Sequence, residues 1–156
     1  MSSYYFTIIG TSDNPLYELE FSSFKTSTSI PGQAQFLPKV KELLPFITNL
    51  SLDLIEDAQW SGNNFHLGKI DSFYGLQVSA FITQGSIKFV LCQDAGKETL
   101  GFTGAGRHDE SGIKLFFFEV YDLYVKAMLN PFYAVNDPLV SPDFDYRVKT
   151  LVRKYL

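Results

Sequence analysis

The sequence is poor in the residues that usually carry chemistry. Cys92 is its sole cysteine, so no disulfide can close within the chain, and a disulfide-stapled secreted fold is excluded. Charge is scarce: 13 basic residues stand against 17 acidic ones, a formal −4, and no basic block is present that would neutralise a run of phosphates. Nucleic acid is therefore excluded as a partner. Long apolar runs are also missing. The opening "MSSYYFTIIG" lacks a basic leader and stops at Gly10, too short for a signal peptide or a membrane span. Position 2 is Ser and the chain closes on "VRKYL" without a Cys four from the end, so neither myristoylation nor prenylation is encoded. The expectation is a cytosolic protein whose membrane contact comes only through partners. The triplet Asn49-Leu50-Ser51 matches a glycosylation acceptor but falls within a predicted helix of a chain not expected to be secreted.

Apolar and aromatic residues are abundant, at 46% and 16% of 156 positions, which is enough for one domain spanning residues 1–156 with a single core. "YYFTIIG" reads as a strand, and "LYELEF" alternates Tyr17, Leu19 and Phe21 with Glu18 and Glu20, the period-two mark of a half-buried strand. Asp13-Asn14-Pro15 makes the turn between them. Further strands are expected at Phe65 to Ile70, Leu76 to Ile82 and Ile87 to Cys92, the last two joined through Gln84-Gly85-Ser86. Residues 22–35 and the glycine-rich stretch 93–111 read as loops, the second flexible because its few apolar anchors do not offset the entropy of ordering it.

Three helices complete the order β-β-α-β-β-β-α-α, an α+β domain with an antiparallel sheet. The first is predicted from Glu42 to Ala58, with Pro45 in its first turn. Phe46, Leu50, Leu43, Leu54, Ile47, Ala58, Leu44 and Ile55 form its buried arc, Asn49 and Glu56 lie opposite, Asp53 sits at the margin beside Phe46, and Leu52 points to the polar side. The second runs from Gly112 to Leu129, stopped by Asn130-Pro131. Its broad core arc holds Ile113, Phe116, Phe117, Val120, Tyr121, Leu123, Tyr124, Ala127 and Met128. A second apolar stripe of Leu115, Phe118, Val125 and Leu129 is interleaved with Lys114, Glu119, Asp122 and Lys126. Either the last helix folds back over this stripe or a partner protein covers it. That last helix starts at Ser141-Pro142-Asp143, an N-cap, an N1 proline and an acid on the positive helix end.

Catalytic patterns fail one by one. "GFTGAGR" spaces Gly101 and Gly106 as a phosphate loop does, but Arg107-His108 stand where Lys-Ser/Thr would bind phosphate and magnesium. Cys92 closes a strand, where a small buried thiol is the ordinary reading, although His66 or His108 would be the base if it acted as a nucleophile. Two histidines and one cysteine leave no set at metal-ligand spacing. Asp109-Glu110 is a helix-start signal, and Asp122 with Lys126 is an exposed pair four apart. No catalytic, cofactor-binding or metal-binding residue is assigned.

"YDLYVKAMLNPFY", residues 121–133, closely resembles the end of the long helix in the sedlin-type small subunits of the TRAPP tethering complex. The likeness extends to "YYFTIIGTSDNPLYELEF", "LSLDLIEDAQW", "VSAFITQGSIKFVL" and "FDYRVKTLVRKYL", and so covers most of the chain. It departs in the loops at 22–41 and 93–111. The resemblance implies a longin, or SNARE-like, fold: a five-stranded antiparallel sheet with one helix on one face and two on the other. It implies a non-enzymatic scaffold or adaptor that needs no cofactor. Such a subunit sits at an end of the complex core and links it to a larger, peripheral subunit. The whole assembly tethers vesicles between endoplasmic reticulum and Golgi, acts in autophagy, and promotes nucleotide exchange on a Rab GTPase. It further implies a joint at Asp53, with Asn49, Leu52 and Glu56 around it. The stripe of Leu115, Phe118, Val125 and Leu129, where the last helix leaves it open, is expected to make a different contact, with a neighbouring core subunit. The alternative is a longin-type regulatory domain that binds a SNARE or small GTPase directly.

Overall fold

The computed structural model describes residues 3–22, 38–62, 64–73, 76–94, 110–134 and 136–156. Its strands are β1 (Ser3–Ile9), β2 (Pro15–Ser22), β3 (His66–Phe73), β4 (Leu76–Ile82) and β5 (Lys88–Asp94), and its helices α1 (Pro38–Trp60), α2 (Glu110–Met128) and α3 (Pro142–Tyr155). The strands form one sheet in the order β2-β1-β5-β4-β3, antiparallel at every pairing. β1 meets β5 with Phe6 opposite Leu91 and Ile8 opposite Phe89, so the first strand is inserted beside the last and buried along its whole length. This is the longin-like arrangement that the resemblance implies.

Alternation along the strands sorts side chains to two cores. Phe6, Ile8, Tyr17, Phe21, Phe81, Phe89 and Leu91 point to one face, covered by α2 and α3; Tyr5, Ile9, Val78, Ala80, Ile82, Val90 and Cys92 point to the other, covered by α1. The first core is aromatic: Phe6 meets Phe116 edge-on at 5.3 Å, and Phe81 stacks on Phe89 at 5.6 Å and on Phe117 at 5.9 Å. Offset and edge-on rings of this kind stabilise by roughly 0.5–1.5 kcal/mol per pair beyond the area they bury.

Helix ends follow from their sequences. Ser141 caps α3 by accepting the Phe144 N–H, with Pro142 next and acids in the first turn. After α2 the Asn130 side chain accepts the Phe132 N–H at 3.0 Å, turning the chain. Leu139 N–H then donates to Leu16 O at 2.8 Å, extending the β2 edge. Asn136, at φ 65°, donates from Nδ2 to Thr11 Oγ1 and accepts Thr11 N–H, clasping the β1–β2 turn. Gly10 is needed there because a Cβ would lie 2.5 Å from Asn136 Oδ1.

Several expectations need correction. α1 begins at Pro38, not Glu42, so Pro45 lies in the helix interior and withholds one backbone donor at an exposed position. The buried face of α1 is Leu44, Ile47, Thr48, Ser51, Leu52 and Ile55. Leu52 therefore points into the core, while Phe46, Leu50 and Leu54 of the expected arc face solvent. The pair of hydroxyls permits this orientation. Thr48 Oγ1 donates to Pro45 O and Ser51 Oγ to Ile47 O, each at 2.8 Å, so both residues are satisfied within the helix and can lie against the sheet without an unpaired polar atom. Of the loop expected at 93–111, Gln93 and Asp94 belong to β5, and 110–111 open α2; residues 95–109 lie outside the described residues, as do 23–37.

Candidate protein-binding faces

The outward face of α1 is built from residues that a core-facing helix would hide. Phe46 is 54% exposed, Leu50 46% and Trp60, at the helix end, 82%. At 3.6 residues per turn, Phe46, Asp53 and Asp57 fall within about 40° of one another. Asp53 is thus in the middle of the outward face, not at the margin of a buried arc, with Leu50 one turn before it and Trp60 two turns after. Asn49 is exposed beside it. Glu56 is exposed too, but its carboxylate lies 3.7 Å from the ammonium of Lys88, which also lies 3.5 Å from Asp13. Lys88 has a side chain only 8% exposed, so this buried cation ties α1 to β5 and the β1–β2 turn. Leu52, expected among the contact residues, is 7% exposed and belongs to the core.

Leu115, Phe118 and Val125 are exposed on α2, and Leu129 is exposed in the turn just past its end, since α2 stops at Met128 and not at the expected Leu129. α3 does not cover them. It packs on the neighbouring side, where Tyr155 donates to Glu119 Oε1 at 2.6 Å and Lys154 lies 3.6 Å from the same atom. Phe118 also meets Phe81 edge-on at 5.2 Å, and the partly exposed Phe65 lies 6.2 Å from Phe81, so this apolar surface runs on toward the β3 edge of the sheet. The two faces, α1 and α2, lie on opposite sides of the sheet.

The nucleophile reading of Cys92 meets a geometric obstacle. Its side chain is fully buried on the α1 side, and burial pushes the thiol up to about 12, whereas the His66 ring contacts Phe117 on the α2 side. The two groups are separated by the sheet. Residues 101–107 and His108 lie outside the described residues, and among the described residues no group of three or more His, Cys, Asp or Glu could hold a metal ion. No described helix is long and apolar enough to cross a membrane.

The sequence model of the Sedlin family matches residues 8–154. The chain belongs to that family. It is 37% identical over 181 aligned positions to trafficking protein particle complex subunit 20 of Saccharomyces cerevisiae, with 97% of each chain covered. It is 38% identical over 156 positions to the probable trafficking protein particle complex subunit 2 of Drosophila melanogaster, covering 100% of this chain and 99% of that one. The transport protein particle 20 kDa subunit of Schizosaccharomyces pombe is 34% identical over 154 positions, with 97% and 98% covered. These full-length matches include the segments that form both exposed faces of this Sedlin-family chain.

The exposed row Phe46, Leu50 and Leu54 was the part sequence reasoning missed. Its signal was nonetheless present: an arc that contains Asp53 and Asp57 beside Phe46 is a poor candidate for burial against a sheet, because each carboxylate would need a partner there.

Proposed function

We infer that this chain is a non-catalytic scaffold or adaptor subunit of a TRAPP complex, holding a core neighbour on α2 and a larger peripheral subunit on α1. The supporting observation is the pair of exposed apolar helix faces on opposite sides of one sheet, which suits a subunit that joins two others better than one that works alone. The names of the relatives, all particle or complex subunits, agree with this reading. On α1 the contact residues are Asp53, Asn49 and Glu56, joined by Phe46 and Leu50; on the α2 side they are Leu115, Phe118 and Val125, with Leu129 just past the helix end. Through the assembled complex the chain reaches endoplasmic reticulum and Golgi membranes, serves vesicle tethering and autophagy, and contributes to Rab nucleotide exchange that other subunits perform.

Co-purification and melting of the same variants test the reading. Asp53→Tyr lies on the surface and should change stability by no more than about 0.5 kcal/mol while losing the peripheral subunit. Val125→Asp should lose the core neighbour and keep the peripheral one. Retention of every partner by both variants, or capture of only a SNARE or a GTPase at these faces, would overturn the adaptor reading.

A further inference from the structure

The outward faces of the three helices differ in how their charges are matched. On α2 and α3 each described outward carboxylate has a cation: Asp122 with Lys126 at 2.9 Å, Glu119 with Lys154, Asp143 with Arg147 at 3.0 Å, Asp145 with Lys149 at 2.8 Å. α1 departs from this. From residue 42 to residue 60 it contains four acids and no Lys or Arg. Among the described residues no cation lies within ion-pair distance of Glu42, Asp53 or Asp57.

Position makes this costlier. Asp57 stands in the last turn of α1, where the helix dipole presents its negative end and no basic residue answers it, and Asp53 and Glu56 lie in the turns just before. Asp57 therefore opposes the helix dipole rather than complementing it. Only Glu56 is relieved, by Lys88. The unmatched acids share their face with Phe46, Leu50 and Trp60, so an apolar row about 12 Å long from Phe46 to Leu54 is flanked by uncompensated negative charge.

We propose that the occupant of this face is a basic amphipathic helix of the partner subunit. Its apolar residues, three and four apart, would seat along the Phe46, Leu50 and Leu54 ridge, and its Lys or Arg side chains would meet Asp53 and Asp57. The row runs along the i±4 direction of α1, the ridge that a second helix accepts between its own side-chain rows. An extended strand would instead seek a sheet edge. A second copy of this chain would set acid against acid, and an anionic membrane would repel the same face. The inference rests on the adaptor reading and adds to it the chemistry of the α1 partner.

The test places the photoreactive residue p-benzoylphenylalanine at position 50 of the full-length chain in the assembled complex and maps the cross-linked peptide. The expected product is a partner peptide rich in Lys or Arg, with apolar residues at three- and four-residue spacing. A cross-link to an acidic or neutral peptide overturns the basic-helix proposal and leaves the adaptor reading intact. A cross-link to a second copy of this chain overturns the proposal and, with it, the assignment of α1 to a peripheral subunit. No cross-link from position 50, with one retained from position 125, removes both the proposal and the α1 half of the adaptor reading. As a second readout, the double variant Asp53→Asn, Asp57→Asn should weaken the isolated subunit pair about ten-fold at low salt and flatten its salt dependence. Unchanged affinity, with unchanged salt dependence, would count against charge matching at this face. Trp60, the sole tryptophan, reports occupancy through a blue shift of its emission.

Discussion

Two leucines two residues apart on α1 decide which way that helix faces. Leu52 is 7% exposed and packs in the cluster of Leu44, Ile47, Ile55, Val78 and Ala80, whereas Leu50 is 46% exposed on the opposite side. Truncating a buried leucine to alanine loses the transfer free energy of the removed carbons and leaves a cavity, a total of about 2–5 kcal/mol. Leu52 lies toward the flank of the buried face, where the helix can settle, so Leu52→Ala should cost about 2–3 kcal/mol. In a domain of this size that lowers Tm by about 4–12 °C. Leu50→Ala removes a side chain already half in water and should cost less than about 1 kcal/mol, or under about 4 °C. Thermal unfolding followed by circular dichroism on the two variants at equal concentration measures the difference. Should Leu50→Ala melt as low as Leu52→Ala, the helix would have its Phe46 and Leu50 side on the sheet. The outward face, with every contact assigned to it, would then be wrong.

Four further outcomes follow from buried or bonded polar groups. The double variant Asp13→Asn, Glu56→Gln leaves the Lys88 ammonium without its two acids and should cost about 1–3 kcal/mol, below the figure for a fully buried pair because both carboxylates are half exposed; Lys88→Met should cost less than that double variant in the same melting assay. Burial, then a hydrogen bond to Glu18 or Asp145, pushes the Tyr5 and Tyr17 phenols well above their ordinary range, and burial takes Tyr124 up to about 12. The fold favours their neutral forms, so this stability is complete below about pH 10 and is lost as pH rises through the folded values, which absorbance at 295 nm alongside circular dichroism would follow. Burial pushes Asp145 upward but is outweighed by the hydrogen bonds from Lys149 and Tyr17, giving a lowered value; its contribution is present above about pH 4 and should fade on acidification, and Asp145→Asn should remove that part of the acid sensitivity. Cys92, fully buried with its thiol raised, should resist a thiol reagent in the native state and react at once in denaturant.

The strands were legible because their alternation is clean. Tyr17, Leu19 and Phe21 against Glu18 and Glu20 can satisfy only one orientation of a sheet edge, and the Leu76 to Ile82 and Ile87 to Leu91 sets divided between the two cores as their parity required. The pairing of β1 with β5, from Ser3 opposite Asp94 to Ile9 opposite Lys88, joins residues far apart in the chain, and no local pattern encodes it. α2 was legible because its core arc is broad and unbroken by charge. α1 was not, since it is apolar on two sides and its sheet-facing side includes Thr48 and Ser51, which look polar until their hydroxyls are seen to bond to Pro45 O and Ile47 O. Of the contact residues on α1, Asp53 came from family resemblance and Phe46 and Leu50 from the structure.

The aromatic excess divides into two populations with separate work. Phe6, Phe81, Phe89, Phe116 and Phe117 are fully buried and close the α2 and α3 core, while Phe46, Trp60, Phe118 and Phe132 stand outside it. Both cores are filled without the outer set, so folding does not require those rings, and their exposure carries a solubility hazard that an isolated chain would not need. A subunit that is covered on assembly escapes that hazard, and variants of the outer set should then act on assembly far more than on melting. Lys88 bears on how the outward face of α1 is held. By holding Glu56 against β5 and the Asp13 turn, it fixes the C-terminal half of α1 on the sheet and so presents Asp53 and Asp57 from a rigid platform rather than from a fraying helix end. A loss of partner affinity in Lys88→Met that exceeds its loss of stability would show that this buried cation serves the outward face as well as the fold.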